Sequence, residues 1–280
     1  MNILSGLEVR DFIKEKLKKQ FSQIGFKPKL SILLVSSRSD SVLYVKNKQK
    51  FGEDIGVLVE VINFREDVSE SVLISEIDRL NRDVSVNAII VQLPLPGHID
   101  KENVLNRIDI SKDVDGLTVA NQNNLYSNKP AILPATARAV ISIFNFYKIE
   151  IKNKNIAIFG KSSLVGKPTA FYLQKLGASI SVIDSKTEDP QKLSKKADII
   201  VVAIGKPLYI NSSFIGNNKP VIVDVGINQK NSALCGDVDF EDVKSLVSAI
   251  TPVPKGVGPV TVASIFENLL EICYNPNIKS

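Results

Sequence analysis

From about Ser5 to Ile24 the apolar residues Leu7, Phe12, Ile13, Leu17, Phe21 and Ile24 return to one side of a helix. Lys14, Lys16, Lys18 and Lys19 fill much of the opposite side, as an amphipathic surface helix requires. Three runs rich in apolar and β-branched residues follow, Leu30–Val35, Leu58–Phe64 and Ala88–Leu93, and read as strands buried on both faces. Helical spacing returns between them, at about Ser41–Ile55 and Ser69–Leu80, so the rhythm is βαβ and the sheet parallel. A second series predicts strands at Asn155–Phe159, Ser179–Ile183, Ile199–Ala203 and Val221–Val225, with a helix over Gly166–Leu176 and a last helix from about Thr261 to Cys273. A polar stretch, Asn121–Pro134, and a helical pattern, Ala135–Phe146, separate the two series. The pattern predicts two α/β domains with their boundary near the Ala135–Phe146 helix.

Composition narrows the class. The 280 residues are 44% hydrophobic and 23% charged, as in a water-soluble globular chain with a sizeable core. No apolar run reaches bilayer length, and Met1–Gly6 carries no secretory pattern, so neither a membrane nor export is expected. Cys235 and Cys273 have no metal-ligand spacing and are expected to stay reduced in a cytosol; no metal is predicted. The net charge of +5 is spread along the chain and there is no tryptophan, which argues against nucleic acid as partner and fits an anionic small molecule.

Candidate chemistry starts at Tyr44 and Lys48, one turn apart on the Ser41–Ile55 helix. By spacing alone the pair is either a half-exposed helix face or a ring beside an amine that carries protons. The second role needs a lysine pKa well below its usual value of about 10.4. Gly160-Lys161-Ser162-Ser163-Leu164-Val165-Gly166 follows a strand and opens a helix, the context of a dinucleotide loop, although Ser162 stands at the usual second glycine. The next strand ends in Asp184, followed by Ser185 and Lys186. A carboxylate there suits a ribose 2′-hydroxyl, whereas Lys161, Ser185 and Lys186 suit a 2′-phosphate, so these residues leave NAD and NADP both open. His98, the only histidine, has no readable acid, base or metal partner and is assigned a structural or surface role.

Four further segments complete the pattern: Gln92-Leu93-Pro94-Leu95-Pro96, Lys112-Asp113-Val114-Asp115-Gly116, Gly236-Asp237-Val238, and Thr251-Pro252-Val253-Pro254-Lys255-Gly256. With Tyr-x-x-x-Lys and Gly-x-Ser-x-x-Val-Gly-x-Pro, in this order and across essentially the whole chain, the sequence resembles the bifunctional methylenetetrahydrofolate dehydrogenase/methenyltetrahydrofolate cyclohydrolase family. The resemblance implies oxidation of 5,10-methylenetetrahydrofolate with NADP (NAD as the alternative), then hydrolysis of the methenyl product to 10-formyltetrahydrofolate. It implies a folate domain of residues 1–136 completed by a C-terminal helix of 261–280, a Rossmann-like domain of residues 137–260, an active-site cleft between the domains and a cytoplasmic homodimer that supplies one-carbon units to purine and formyl-methionine synthesis. It assigns catalysis to Lys48, with Gln92 tuning it, Tyr44 packing on the folate and Asp115 binding the pterin. Pro254, Lys255 and Gly256 join Tyr44 and Asp115 as substrate residues, and Gly160, Lys161, Ser162, Val165, Gly166, Ser185 and Ile227 form the cofactor set.

The chain departs from the family pattern at several positions. Lys161 replaces an arginine, Asp184 stands where histidine is common, Ala135 and Ala137 alter a Pro-Cys-Thr-Pro segment, and Asn123 occupies a usual glycine position, asparagine tolerating a positive φ better than most residues. Lys255 replaces the first glycine of Pro-Gly-Gly, which predicts crowding of the folate or a further drop in the Lys48 pKa, and a changed ratio of the two activities. Two other readings remain: a dehydrogenase with weak cyclohydrolase activity and NAD preference, and a folate- or nucleotide-binding homologue without turnover.

Overall fold

A computed structural model describes residues 1–35, 38–230 and 233–274. The last six residues of the predicted C-terminal segment, 275–280, lie outside the described residues. In chain order the elements are β1 (Asn2–Ile3), α1 (Gly6–Phe21), β2 (Lys29–Leu34), α2 (Ser39–Asp54), β3 (Leu58–Asn63), α3 (Glu70–Arg82), β4 (Ala88–Val91), α4 (Lys101–Leu105), α5 (Val119–Tyr126) and α6 (Ala135–Phe146). They continue with β5 (Asn155–Phe159), α7 (Gly166–Lys175), β6 (Ser179–Ile183), α8 (Pro190–Ser194), β7 (Ile199–Val202), β8 (Val221–Asp224), β9 (Asn228–Lys230), β10 (Ala233–Cys235), α9 (Phe240–Val243), β11 (Ala249–Ile250) and α10 (Val257–Tyr274). The chain divides into two compact units, Met1–Asp11 with Thr136–Thr261, and Phe12–Ala135 with the segment from Val262 onward.

The unit built on Phe12–Ala135 has a three-stranded parallel sheet, β3-β2-β4. β2 and β4 are buried, as their apolar runs dictate. β3 is not buried on both faces as expected: it is an edge strand, and Leu58 is 46% exposed. Leu73, Ile77 and Leu80 of α3 pack on Leu33, Ile89 and Val91 of the sheet. The polar stretch after Gly116 contains a helix that periodicity did not reveal. Thr118 caps α5 by accepting from the Asn121 amide, and the buried Asn121 side chain donates to Gly116 and Ile132 carbonyls while accepting from the Ile132 amide. Asn123 lies inside α5 without a positive φ, so the tolerance of asparagine for that conformation is not used. On α10, Phe266 stacks on Phe51 of α2 at 5.2 Å, and Asn268 donates to the carbonyls of Val114 and Leu133.

The other unit holds a six-stranded parallel sheet in the order β1-β11-β8-β7-β5-β6. β5 leads to β6 on one side and β7 on the other, which places a switch point beyond its C-terminal end. Ala157, Phe159, Ile200, Val202 and Ile222 form much of its core. α10 starts at Val257, about one turn earlier than the sequence predicts; Pro259 falls in its first turn, where a missing N–H costs nothing. Among the described residues no helix is long and apolar enough to cross a membrane, and no cluster of His, Cys, Asp or Glu could hold a metal ion.

Candidate functional site

Lys48 lies on the buried side of α2 with 7% exposure. Its Nζ donates to Gln92 Oε1 at 2.9 Å, and the Gln92 amide nitrogen donates to the Leu93 carbonyl at 2.8 Å. Gln92 directly follows β4, and its backbone N–H pairs with Leu33 of β2, so the sheet fixes the residue that meets the lysine. Burial pulls the Lys48 pKa below its ordinary value; the charge of Asp115 opposes this but is the smaller effect. The same burial raises Asp115, against the charge of Lys48. Both groups are therefore pushed toward their neutral forms. Tyr44, one turn before Lys48, is half-buried, and burial raises its phenol pKa, with a smaller contribution from Asp40.

Asp115 owes its position to Asp113, to which the sequence assigned no role of its own. Asp113 is buried and accepts from the amides of Gly116, Leu117 and Thr118 at 2.8–3.1 Å. Gly116 has φ +71°, and a Cβ there would lie 2.9 Å from the Ile132 carbonyl oxygen. Lys112 is equally engaged: its Nζ donates to the carbonyls of Leu80, Asn81 and Asp83. In Lys-Asp-Val-Asp-Gly, then, the lysine and first aspartate hold the loop, and Asp115 is within electrostatic reach of Lys48. His98 bonds the Val68 carbonyl on the surface.

In the other unit the strand ends line up a second set of groups. Gly160 ends β5 with φ +104°, where a Cβ would meet the Ala203 carbonyl oxygen at 2.3 Å; a Cβ on Gly166 would lie 2.0 Å from the Gly160 carbonyl oxygen. Only glycine allows this closeness. Ser162 Oγ accepts from the Val165 amide and the Ser162 carbonyl from the Lys167 amide, which folds the loop onto the start of the ten-residue helix α7. A tight glycine turn opening a helix at the switch point fits a dinucleotide pyrophosphate. Lys161 Nζ reaches Asp184 Oδ2 at 2.5 Å across the loop. Ser185 is exposed, and Ile227, beyond β8, is 47% exposed.

Beyond β7 and β8 lie two buried carboxylates. Asp237 Oδ2 accepts from the amides of Ile204 and Gly205, and Oδ1 from Asn228. Asp224 accepts from the amides of Gly226, Asp237 and Val238. Burial pushes Asp224 up to about 7, with the Asp237 charge adding to it and the three amides pulling the other way. The segment Gly236-Asp237-Val238 was visible in the sequence, but its contact with Asp224 is non-local and was not. Pro254 and Lys255 are exposed, Gly256 is buried, and Lys255 has φ +78°. The Lys255 carbonyl accepts from the Gly6 amide at 2.9 Å.

The tetrahydrofolate dehydrogenase/cyclohydrolase family models match this chain twice, the catalytic domain over residues 4–115 and the NAD(P)-binding domain over residues 134–276. The bifunctional protein FolD of Lactobacillus acidophilus is 38% identical over 278 residues, covering 98% of each chain. The crystal structure of the bifunctional FolD of Campylobacter jejuni superposes with a TM-score of 0.93 at 38% identity, again over 98% of each chain. The Trypanosoma brucei dehydrogenase-cyclohydrolase, solved with NADP and an inhibitor, gives a TM-score of 0.91 at 32% identity over 97% of this chain and 96% of its own.

Proposed function

The chain belongs to the tetrahydrofolate dehydrogenase/cyclohydrolase family, and from that premise we propose how its residues divide the work. It oxidises 5,10-methylenetetrahydrofolate with NAD(P) and hydrolyses the resulting 5,10-methenyl compound to 10-formyltetrahydrofolate. Lys48 is the proton carrier of the hydrolysis. The observation behind this is a lysine buried to 7% exposure, its charge disfavoured by desolvation, and its Nζ aimed by Gln92. A neutral amine there takes a proton from the water that attacks the methenyl carbon. As the carbon–nitrogen bond opens, the second proton of that water passes to the released ring nitrogen, so one proton leaves to solvent overall. Gln92 accepts from the amine and holds its lone pair in one direction. Tyr44 offers a ring face to the planar substrate, and Asp115 accepts the paired N–H donors of the pterin edge.

The turn at Gly160–Gly166, with Lys161, Ser162, Val165, Ser185 and Ile227 around the strand ends, holds the dinucleotide. When bound there, the dinucleotide would supply the hydride acceptor for the oxidation. Pro254, Lys255 and Gly256 serve the substrate side. The homodimer, the cytoplasmic location and the supply of formyl units to purine synthesis belong to the same reading.

Lys48→Met tests it. Hydrolysis, followed by loss of methenyl absorbance, should fall at least about a hundredfold, as expected for removal of a general base whose usual worth is 10²–10⁴. Retained hydrolysis would take Lys48 out of the chemistry.

A further inference from the structure

The carboxylate at the end of β6 sorts the two dinucleotides. We propose that Asp184, locked by Lys161, makes this enzyme prefer NAD over NADP by occupying the place of the 2′-phosphate. The inference rests on the dinucleotide role proposed for the Gly160–Gly166 turn.

β5, α7 and β6 form the βαβ unit that opens at Gly160, and Asp184 is the residue after the second strand. In such units an acid at this point bonds the adenosine ribose hydroxyls and repels a 2′-phosphate. Sequence alone left three groups able to take the phosphate: Lys161, Ser185 and Lys186. In the structure Lys161 is already used. Its Nζ lies 2.5 Å from Asp184 Oδ2, so the positive charge nearest the loop is spent on the carboxylate that the phosphate would have to displace. The carboxylate is also held from its other side. Oδ1 accepts from the Lys186 amide at 2.9 Å and from Thr187 Oγ1 at 3.1 Å, while Thr187 Oγ1 in turn accepts from the Asp184 amide. Turning it away would break the ion pair and the turn together. The lysine side chain is 65% exposed and the aspartate 22%, so the carboxylate is the anchored partner. These partners hold Asp184 ionised, its pKa lowered to about 2.

A ribose 2′-hydroxyl meets this arrangement as a donor, and a carboxylate, with about four acceptor sites, keeps one after these three contacts. A 2′-phosphate brings roughly two negative charges against a third that cannot leave. It binds only by pulling Lys161 from Asp184.

Titration of the purified enzyme with NAD and with NADP, followed calorimetrically without folate, reads this directly. Wild type should bind NAD at least about tenfold tighter than NADP. Asp184→Asn keeps a side-chain acceptor for the turn and removes the charge; it should tighten NADP about tenfold and weaken NAD, which loses the charged acceptor of its ribose hydroxyl, so that the preference for NAD is lost. Adding Lys161→Ala to Asp184→Asn should cancel that gain, because Lys161 is the group set free to meet the phosphate. Equal or tighter NADP binding by wild type, or a ratio unmoved in Asp184→Asn, overturns the inference and leaves the dinucleotide site standing. Binding of neither dinucleotide overturns both. A thermal melt of each variant checks that the fold is kept.

Discussion

At the scale of single residues, the site works by withholding water. Lys48 loses charge because its surroundings solvate it poorly, and Asp115 restrains that loss. The sign of this coupling gives a test. Removing the negative charge of Asp115 removes what favours the charged amine, so in Asp115→Asn the Lys48 pKa falls further. The rate of methenyl hydrolysis, limited by neutral Lys48, should rise with pH and level off at a lower pH in Asp115→Asn than in wild type. A levelling at the same or higher pH would mean that the two groups do not feel one another. Asp224 titrates in the opposite sense. Its folded pKa, about 7, lies above the unfolded value of 3.8. The folded state therefore holds the extra proton in that window. Its contribution to stability is complete below about 4 and is lost as pH rises through 7. Asp224→Asn carries no such proton, so its unfolding free energy relative to wild type should improve by about 1–3 kcal/mol between pH 4 and 8. Chemical denaturation at both pH values measures this, and a difference independent of pH would contradict it. The Lys48–Gln92 pair was legible because each partner sits in a recognisable segment. Asp113 and Asp224 were not, because an aspartate that holds a loop together reads in sequence like any turn residue.

Elements with strong periodicity were the most legible. β5 and β6 fall where the apolar runs place them, and α2 and α3 within two residues at each end. What failed was whatever depends on partners far along the chain. The two-residue strands β1 and β11 exist only because they pair with each other and with β8. α5 exists because Thr118 caps it and Asn121 is satisfied at Ile132, eleven residues away. The loop before α10 shows the converse, a local rule broken. Lys255 holds φ +78°, where an L-residue is strained by about 1–2 kcal/mol. The Gly6 amide bonds its carbonyl, and a Cβ on Gly6 would lie 1.7 Å from the Gly256 carbonyl oxygen, so the backbone here has no room to relax. Lys255→Gly removes the strain and adds unfolded-state entropy worth about 0.4–1 kcal/mol. The strain is the larger effect, so the variant should be more stable by up to about 1 kcal/mol, whereas β-branched Lys255→Val should be less stable. The same glycine variant should change the ratio of dehydrogenase to cyclohydrolase rates; an unchanged ratio would separate this loop from catalysis.

For the whole molecule, periodicity and motif order suffice for two parallel α/β units, but not for what β3 does at the edge of its sheet. A run as apolar as Leu58–Asn63 reads as an interior strand, and in one chain it is an edge. Edges left open are normally guarded by charge. The only charged side chain of β3 is Glu60, and its charge is paired with Lys29 of β2 at 2.9 Å, with Ser31 of the same strand donating to the same oxygen. The edge itself carries Leu58, 46% exposed, and no free charge from its own residues to repel another chain. The sequence pattern and the open edge are reconciled if a second copy covers β3, which is how the proposed homodimer would bury a strand with an interior composition. Sedimentation equilibrium should then give twice the 30.7 kDa chain mass. Leu58→Lys, which restores the missing guard, should shift the protein toward monomer. The substitution lies at an exposed position, so the thermal stability of the separated chain should fall only as far as loss of the partner requires. A wild-type monomer, or a dimer indifferent to Leu58→Lys, would leave the apolar edge to be explained by something other than self-association.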